Sequence, residues 1–272
     1  MRRERDAAEE LLRARIGDAL GKSERGEIGV LSYLTPREQK QAERYLRECG
    51  AWQSTYLFGG YPDAARACLF FLPEYLTLAL ESLSDADCAA EETLGEDLTD
   101  AVSAVRIKGS GYRVLSHRDY LGSVLALGIE RDAFGDIALQ GDCEAVLFCS
   151  SKMAAFLCEN LTHVASDTVK CERYRVDDRF TDGRRYRAIS DTVASPRLDC
   201  VVASLTNLSR EAAKEAVQSG RVEVDFEVEE RVDLLLTPPT TLSIRGYGRF
   251  ILRSFDGETR KGRLRMRADQ LI

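Results

Sequence analysis

Apolar positions recur along this chain at several different spacings, and the switches between spacings mark its elements. A three-to-four-residue stripe over Asp6–Leu20 predicts an amphipathic helix. A second helix starts where Thr35 can cap, Pro36 suits the first helical position and Glu38 completes a capping box. It runs to about Cys49, before Gly50. Strands are predicted at Trp52–Phe58 and Ala67–Leu72, with Gly59-Gly60-Tyr61-Pro62-Asp63 turning between them. Asp85 to Asp100 holds seven acids and few large apolar groups, which predicts a flexible or exposed insertion.

From residue 101 the rhythm becomes regular. Strands at Ala101–Lys108, Asp136–Gln140, Cys143–Cys149 and Thr168–Tyr174 alternate with helices at Ser116–Gly128 and Lys152–Val164. That order is β-α-β-β-α-β, the ferredoxin-like pattern. RNA-recognition-motif domains share it and carry stacking aromatics on their first and third strands. Here those strands read Ala101-Val102-Ser103-Ala104-Val105-Arg106-Ile107 and Cys143-Glu144-Ala145-Val146-Leu147-Phe148. They lack the aromatic platform, so base stacking on this sheet is not expected.

A third pattern runs from Pro196 to Gly248. Ser209 can cap a helix whose stripe is Ala212, Ala213, Ala216 and Val217, and Gly220 stops it. Arg210 takes the first helical position, with Lys214 on the same face one turn on. A cation there faces the positive end of the helix dipole and costs roughly 0.3–1 kcal/mol. A bound anion reverses that sign, because a helix N-terminus is a phosphate site. Without a ligand the two are solvated surface cations. Beyond Gly220, Val222, Val224, Phe226 and Val228 alternate with Arg221, Glu223, Asp225 and Glu227, which predicts one half-buried strand. Strands at Leu242–Ile244 and Arg249–Phe255, after a rigid turn at Pro238-Pro239, complete two short helices followed by a small antiparallel sheet.

Charge sharpens this reading. The 272-residue chain carries −7, which argues against indiscriminate polyanion binding. Yet Arg245 to Arg267 holds eight Arg or Lys against Asp256 and Glu258. Arg263, Arg265 and Arg267 alternate with Leu264 and Met266, so on a strand they line one face at roughly 6.6 Å intervals, a spacing suited to successive phosphates. The alternative is an edge strand guarded by charge. No apolar run reaches the ~18 residues of a membrane span, and Met1-Arg2-Arg3-Glu4-Arg5-Asp6 lacks a signal-peptide core. Eight cysteines include no CxxC pair; Cys68, Cys149, Cys158 and Cys200 lie in apolar segments and read as small, reduced core residues rather than zinc ligands.

Arg197-Leu198-Asp199, Leu208-Ser209-Arg210, Gly220 and Arg245-Gly246-Tyr247-Gly248-Arg249-Phe250 follow one another in an order that resembles the S-four (alpha-L) RNA-binding module. Leu115-Ser116-His117-Arg118-Asp119-Tyr120-Leu121-Gly122-Ser123 continues through Leu127-Gly128-Ile129, Arg131-Asp132 and Gly135-Asp136-Ile137. Together with the S-four pattern, this is similar to the YlmH family of bacterial RNA-binding proteins, from roughly Leu34 to the C-terminus. The resemblance implies a cytoplasmic factor that associates with the large ribosomal subunit through rRNA or tRNA. It implies a part in ribosome-associated quality control beside another factor of that process; a role in cell division has also been proposed for the family. The expected fold is α+β: an N-terminal α/β segment at 1–80, a ferredoxin-like domain at 81–192 and an S-four domain with a basic tail at 193–272. Carried onto this sequence, the RNA contacts are Arg197, Ser209, Arg210, Lys214, Arg221, Arg245 and Arg249. The module's usual Asn-Gly turn is replaced by Asp225-Phe226, and its Gly-Asp by Thr240-Thr241.

Enzyme readings are weaker. His117-Arg118-Asp119 matches the opening of a kinase catalytic loop, but the downstream Asn, the Asp-Phe-Gly element and the Gly-rich loop are missing. The triplet reads as the charged first turn of a helix capped by Ser116, or as an added RNA contact. Gly109-Ser110-Gly111 is no dinucleotide loop, and His163 sits alone late in a predicted helix. Pseudouridine synthases also carry an S-four domain and use an aspartate after Arg-Leu. Their catalytic domain follows that module, however, and about 20 residues are too few for one. A non-enzyme with no cofactor, metal, membrane or small-molecule substrate is therefore expected; an rRNA-modifying enzyme or a division-site interaction protein are the alternatives.

Overall fold

The computed structural model describes residues 2–62, 64–81, 86–177 and 179–272. The chain is mixed α and β and divides into two compact units, one ending at Gly183 and the other starting at Arg184.

The first unit opens with α1 (Arg2–Glu24), β1 (Gly29–Leu34), α2 (Pro36–Glu48), β2 (Thr55–Phe58) and β3 (Ala67–Phe71). The strands form an antiparallel sheet in the order β1-β3-β2. The α2 capping box is present: the Thr35 N–H donates to the Glu38 carboxylate at 2.8 Å, and the Glu38 N–H donates to the Thr35 hydroxyl at 3.3 Å. Leu12 and Ile16 of α1 and Ala42 and Leu46 of α2 pack on Leu31, Leu69 and Phe71. Periodicity does not predict β1, because its register slips between Leu31 and Leu34 and Tyr33 holds φ +42.

Next come α3 (Glu74–Glu81) and α4 (Ala86–Ala101). The acidic stretch predicted as an exposed insertion is therefore helical; its first residue, 85, lies outside the described residues. Leu94 and Leu98, on either side of a kink at Gly95 (φ 44, ψ −109), are buried in the cluster that holds Val102 and Phe148. Averaged composition hides a stripe only two leucines long.

The predicted central run appears as β4 (Ser103–Gly109), α5 (His117–Ala126), β5 (Phe134–Leu139), β6 (Glu144–Cys149), α6 (Ser151–Asn160), β7 (His163–Val164) and β8 (Asp167–Tyr174). The strand order is β5-β6-β4-β8-β7, antiparallel at every described pairing. α6 stops short of its predicted end, so His163 stands on the short strand β7 rather than late in a helix. Val105, Ile107 and Leu147 face Tyr120 and Val124 of α5 and Leu157 of α6. Ala104, Val146 and Phe148 point the other way, into Tyr33, Tyr61, Phe70 and Leu98. Buried on both faces, β5 and β6 read as nearly continuous apolar runs, whereas β4 and β8 keep Lys108 and Lys170 exposed on the second face.

The Leu115–Ile137 stretch supplies the joints of this packing. The Asp136 carboxylate accepts from the Tyr61 hydroxyl at 2.7 Å, the Ala65 N–H at 2.7 Å and the Arg66 N–H at 3.2 Å, tying the β2–β3 loop to β5. A Cβ on Gly135 would lie 2.7 Å from the Tyr33 ring. Opposite, Gly60 has φ +97 and would place a Cβ 2.3 Å from the Phe148 ring, so only glycine lets the loop lie flat on the sheet. Arg131 donates to the carbonyls of Phe134 and Gly135 at 2.8 and 3.1 Å. Burial, with the charge of Arg66 adding to it, pushes the Arg131 guanidinium down to about 10.

The second unit consists of β9 (Tyr186–Val193), α7 (Leu198–Thr206), α8 (Arg210–Gln218), β10 (Val222–Val224), β11 (Glu227–Val228), β12 (Thr240–Ile244), β13 (Gly248–Glu258) and β14 (Leu264–Leu271). Its antiparallel sheet has the order β11-β10-β12-β13-β14-β9. Both helices pack on one face: Val201, Val202, Leu205, Ala213 and Val217 meet Leu242, Ile244, Phe250, Leu252 and Met266. β9 pairs along its whole length with β14, so it belongs to this sheet and not to a domain ending at 192. The same pairing makes β14 an interior strand, which removes the guarded-edge reading of its arginines.

The single strand predicted over Val222–Val228 is a hairpin. Asp225 and Phe226 take φ +49 and +71, the left-handed pair of a two-residue hairpin turn. Asp225 holds this backbone by bonding β12: its N–H donates to the Thr241 carbonyl at 2.7 Å and its carboxylate accepts the Thr241 N–H at 2.9 Å.

Among the described residues no helix is long and apolar enough to cross a membrane, and no group of three or more His, Cys, Asp or Glu is placed to hold a metal. Cys68, Cys149 and Cys200 are buried; Cys158 is half-buried. Burial pushes the Cys68 thiol up to about 11 and that of Cys149 up to about 12. Thiolate is the reactive form. Iodoacetamide at neutral pH is therefore expected to modify the exposed Cys49 well before Cys68 or Cys149, as read by peptide mass spectrometry. Asp136→Ala strands the Tyr61 hydroxyl and two backbone N–H groups, and should cost about 2–4 kcal/mol in urea denaturation with an unchanged m-value.

Candidate nucleic-acid interface

The helix pair of the second unit is organised around one carboxylate. Asp199, in the first turn of α7, is fully buried. Arg197, at the N-cap, has its Nε 3.0 Å from Asp199 Oδ1 and its Nη2 3.4 Å from Oδ2. Arg210, the first residue of α8, approaches the same Oδ2 with its Nε at 3.4 Å. Burial opposes ionisation of Asp199, but the hydrogen bond from Arg197 and the charges of Arg197 and Arg210 hold its carboxyl below the usual range. One negative charge thus serves two guanidinium groups, whose side chains remain 34 % and 55 % exposed. The result is a pair of partly exposed guanidinium groups anchored on one buried carboxylate, with Asp233 also acting on Arg197.

Backbone geometry reinforces the arrangement. α7 has no side-chain cap. Instead its Leu198 and Asp199 N–H groups donate to the carbonyls of Leu234 and Val232, at 2.8 and 3.1 Å, from a strap between β11 and β12. α8 is capped as predicted: the Ser209 hydroxyl accepts the Ala212 N–H at 3.2 Å. That hydroxyl is therefore already engaged.

The remaining predicted contacts do not join one surface. Lys214 lies one turn along α8 from Arg210 and meets the exposed Glu211 at 3.0 Å, a pair worth little in water. Arg221 follows the other end of α8, where its Nε donates to the Ser219 hydroxyl at 2.8 Å and its guanidinium lies 3.6 Å from Glu215. The Arg245 N–H donates to the Arg221 carbonyl at 2.9 Å, which brings those two residues together. Arg249 alternates with the buried Phe250, so it stands on the sheet face away from the helices, its guanidinium 5.3 Å from the Phe226 ring centre. In the basic tail, Arg253 pairs with Asp269 and Arg267 with Asp256, while Arg263 bonds Thr192. Much of the tail's charge is thus spent inside the sheet, which weakens the phosphate ladder its alternation predicts.

In the first unit, Asp119 is a capping residue: its carboxylate accepts the Ser116 N–H at 2.9 Å and the Ser116 hydroxyl at 2.7 Å. Those bonds hold its carboxyl below the usual range. His117 and Arg118 are exposed on the same turn. The sequence places Asp199 in the first turn of a helix but does not show it as the partner of two arginines, and it gives Phe226 as a strand and turn residue but not as the ring beneath Arg249. The Arg-x-Asp spacing at a helix start was the one available signal for the former; the latter needs the hairpin.

Comparison with known proteins agrees with these features. Residues 101–178 match the putative RNA-binding domain in YlmH. The ribosome-associated protein quality control protein P2 of Bacillus subtilis (strain 168) is 29% identical over 237 residues, covering 87% of this chain and 85% of that protein. The solved structure of cell division protein ylmH from Streptococcus pneumoniae is 15% identical, covers 63% of this chain and 90% of that one, and superposes with a TM-score of 0.45. The chain is thus of the class that carries a YlmH-type RNA-binding domain. Over residues 101–178 it is similar to the YlmH family.

The shared carboxylate makes a pH prediction. A group with a depressed folded value contributes stability above its unfolded value, near 3.9, and loses it as pH falls through the folded value. Asp199→Asn should therefore cost about 1–2 kcal/mol at neutral pH, allowing for the partial exposure of both arginines. The gap from the unsubstituted protein should close on acidification below about pH 4. Chemical denaturation across pH checks both.

Proposed function

We propose that this chain is a non-catalytic, cytoplasmic RNA-binding factor that associates with the large ribosomal subunit through rRNA or tRNA and serves in ribosome-associated quality control. The match of residues 101–178 to an RNA-binding domain supports the ligand class, and the name of the Bacillus subtilis relative, which aligns over most of this chain, supports the setting. The strand order β5-β6-β4-β8 with α5 and α6 on one face supports a ferredoxin-like reading of the central sheet. Two packed helices followed by antiparallel strands, with Arg245-Gly246-Tyr247-Gly248-Arg249 at the β12–β13 turn, support an S-four reading of the second unit.

The observation that carries the proposal is the sharing of buried Asp199 by Arg197 and Arg210 at the N-terminal ends of α7 and α8. Guanidinium groups fixed by a carboxylate at helix N-termini meet a phosphate with little ordering cost. Lys214 extends this patch along α8 and Ser209 caps the helix beside it; Arg221 and Arg245, beyond the far end of α8, and Arg249, on the other face of the sheet, would be separate contacts.

The double substitution Arg210→Ala with Lys214→Ala tests this. Co-sedimentation with ribosomes should fall markedly while circular dichroism shows the variant folded, with a modest drop in melting temperature because Asp199 loses one of its two guanidinium partners. The slope of log K against log salt should shrink by about 1–2 for two lost phosphate contacts. A folded double variant that sediments with ribosomes like the parent refutes the assignment of these cations.

A further inference from the structure

The β4–α5 loop, residues 110–116, presents an aromatic ring that no part of the fold uses. Tyr112 is 96% exposed, and Val114, two residues on, is 68% exposed. Exposed apolar groups are common singly. Here the backbone beneath them is pinned at both ends. The Ser110 N–H donates to Asp167 at 3.0 Å, and the Ser110 hydroxyl donates to the same carboxylate. At the far end Leu115 is buried, and its N–H donates to the Asp142 carbonyl at 2.7 Å. The Ser116–Asp119 capping box then starts α5. Between these anchors Gly111 takes φ +87, and Arg113 is held by the Ser166 hydroxyl at 2.7 Å.

The charge of the loop is cationic. Arg113 follows the ring and Arg118 lies in the first turn of α5; both are exposed. Asp167 and Asp119 accept hydrogen bonds from Ser110 and Ser116 and stay ionised, and the charge of Arg113 acts on both, so they offset part of the loop's positive charge. Asp142 is the exposed acid on the adjoining turn. A pinned, solvent-facing tyrosine beside arginines is the chemistry of single-strand recognition, in which bases stack on the ring and phosphates meet the cations. The sheet face that performs this in RNA-recognition-motif domains is covered here over part of its width by Tyr33, Tyr61 and Phe70, and its open part at β4 and β8 is charged, with Arg106, Lys108, Lys170 and Glu172.

We propose that Tyr112, with Arg113 and Arg118, forms a stacking site for an unpaired nucleotide of an RNA ligand. The inference rests on the RNA-binding reading given above and names where the central domain would touch that RNA.

Fluorescence anisotropy on the full chain tests it with two labelled probes: an oligouridylate of about twelve nucleotides and a blunt RNA duplex of about sixteen base pairs. Tyr112→Ala should weaken oligouridylate binding at least about five-fold, the low end of the usual stacking contribution, and leave duplex binding unchanged. Tyr112→Trp should retain oligouridylate binding, because a larger ring stacks as well. Circular dichroism should show both variants folded. Oligouridylate binding that survives Tyr112→Ala, or that Tyr112→Trp abolishes, overturns the inference. Duplex binding by the unsubstituted chain without oligouridylate binding overturns the inference alone, whereas failure to bind either probe counts against the RNA-binding reading as well.

Discussion

The first unit is governed by the burial of its central sheet on both faces. Helices α5 and α6 cover one side, and Tyr33, Tyr61, Phe70 and the leucines of α4 cover the other. The second layer is fitted by small and polar groups at fixed points: Gly135 under the Tyr33 ring, Gly60 over Phe148, and Asp136 gathering the β2–β3 loop. Over β5 and β6 the sheet is thereby closed to bases, whereas across β4 and β8 the second face carries Arg106, Lys108, Lys170 and Glu172, of which Lys108 and Lys170 are exposed. Tyr112 and Arg113 stand on the loop beyond β4. The most family-specific stretch, Leu115 to Ile137, is for the most part the joinery of this closure rather than a ligand site.

In the second unit electrostatics takes the organising part. The helix pair could pack on the sheet through its apolar stripes alone, yet Asp199 is buried at the junction and draws in Arg197 and Arg210. A buried carboxylate with too few partners destabilises a fold; with two guanidinium groups it is well satisfied, and it fixes both. The rigidity lowers the entropy lost when an anion arrives. In a chain of net charge −7, this carboxylate is an acid used as an internal holder. Asp256 and Asp269 act alike on Arg267 and Arg253, and there the holding occupies the tail's charge.

Local signals were legible where one residue type has one physical use. Thr35-Pro36 with Glu38, Ser116 with Asp119, and Ser209 all cap helices as their spacing predicts. The β-α-β-β-α-β order was legible because each element is long enough to show its period. The failures share a cause. β1 slips register around Tyr33, α4 shows only two described buried leucines, and the β10–β11 turn uses Asp and Phe in a conformation that sequence rules reserve for Asn and Gly. In each case a tertiary contact stabilises what local preference does not.

By itself the sequence determined the helix starts, the order of the central elements and the family resemblance. These depend on neighbours within a few positions, so short-range spacing encodes them. Only the tertiary structure decided that a second layer covers β5 and β6, that β14 is interior, that Arg249 faces away from the helices, and that Asp199 serves two arginines. Those outcomes depend on which strands pair and which faces close, and burial energy settles them over distances that the period of a single element does not record.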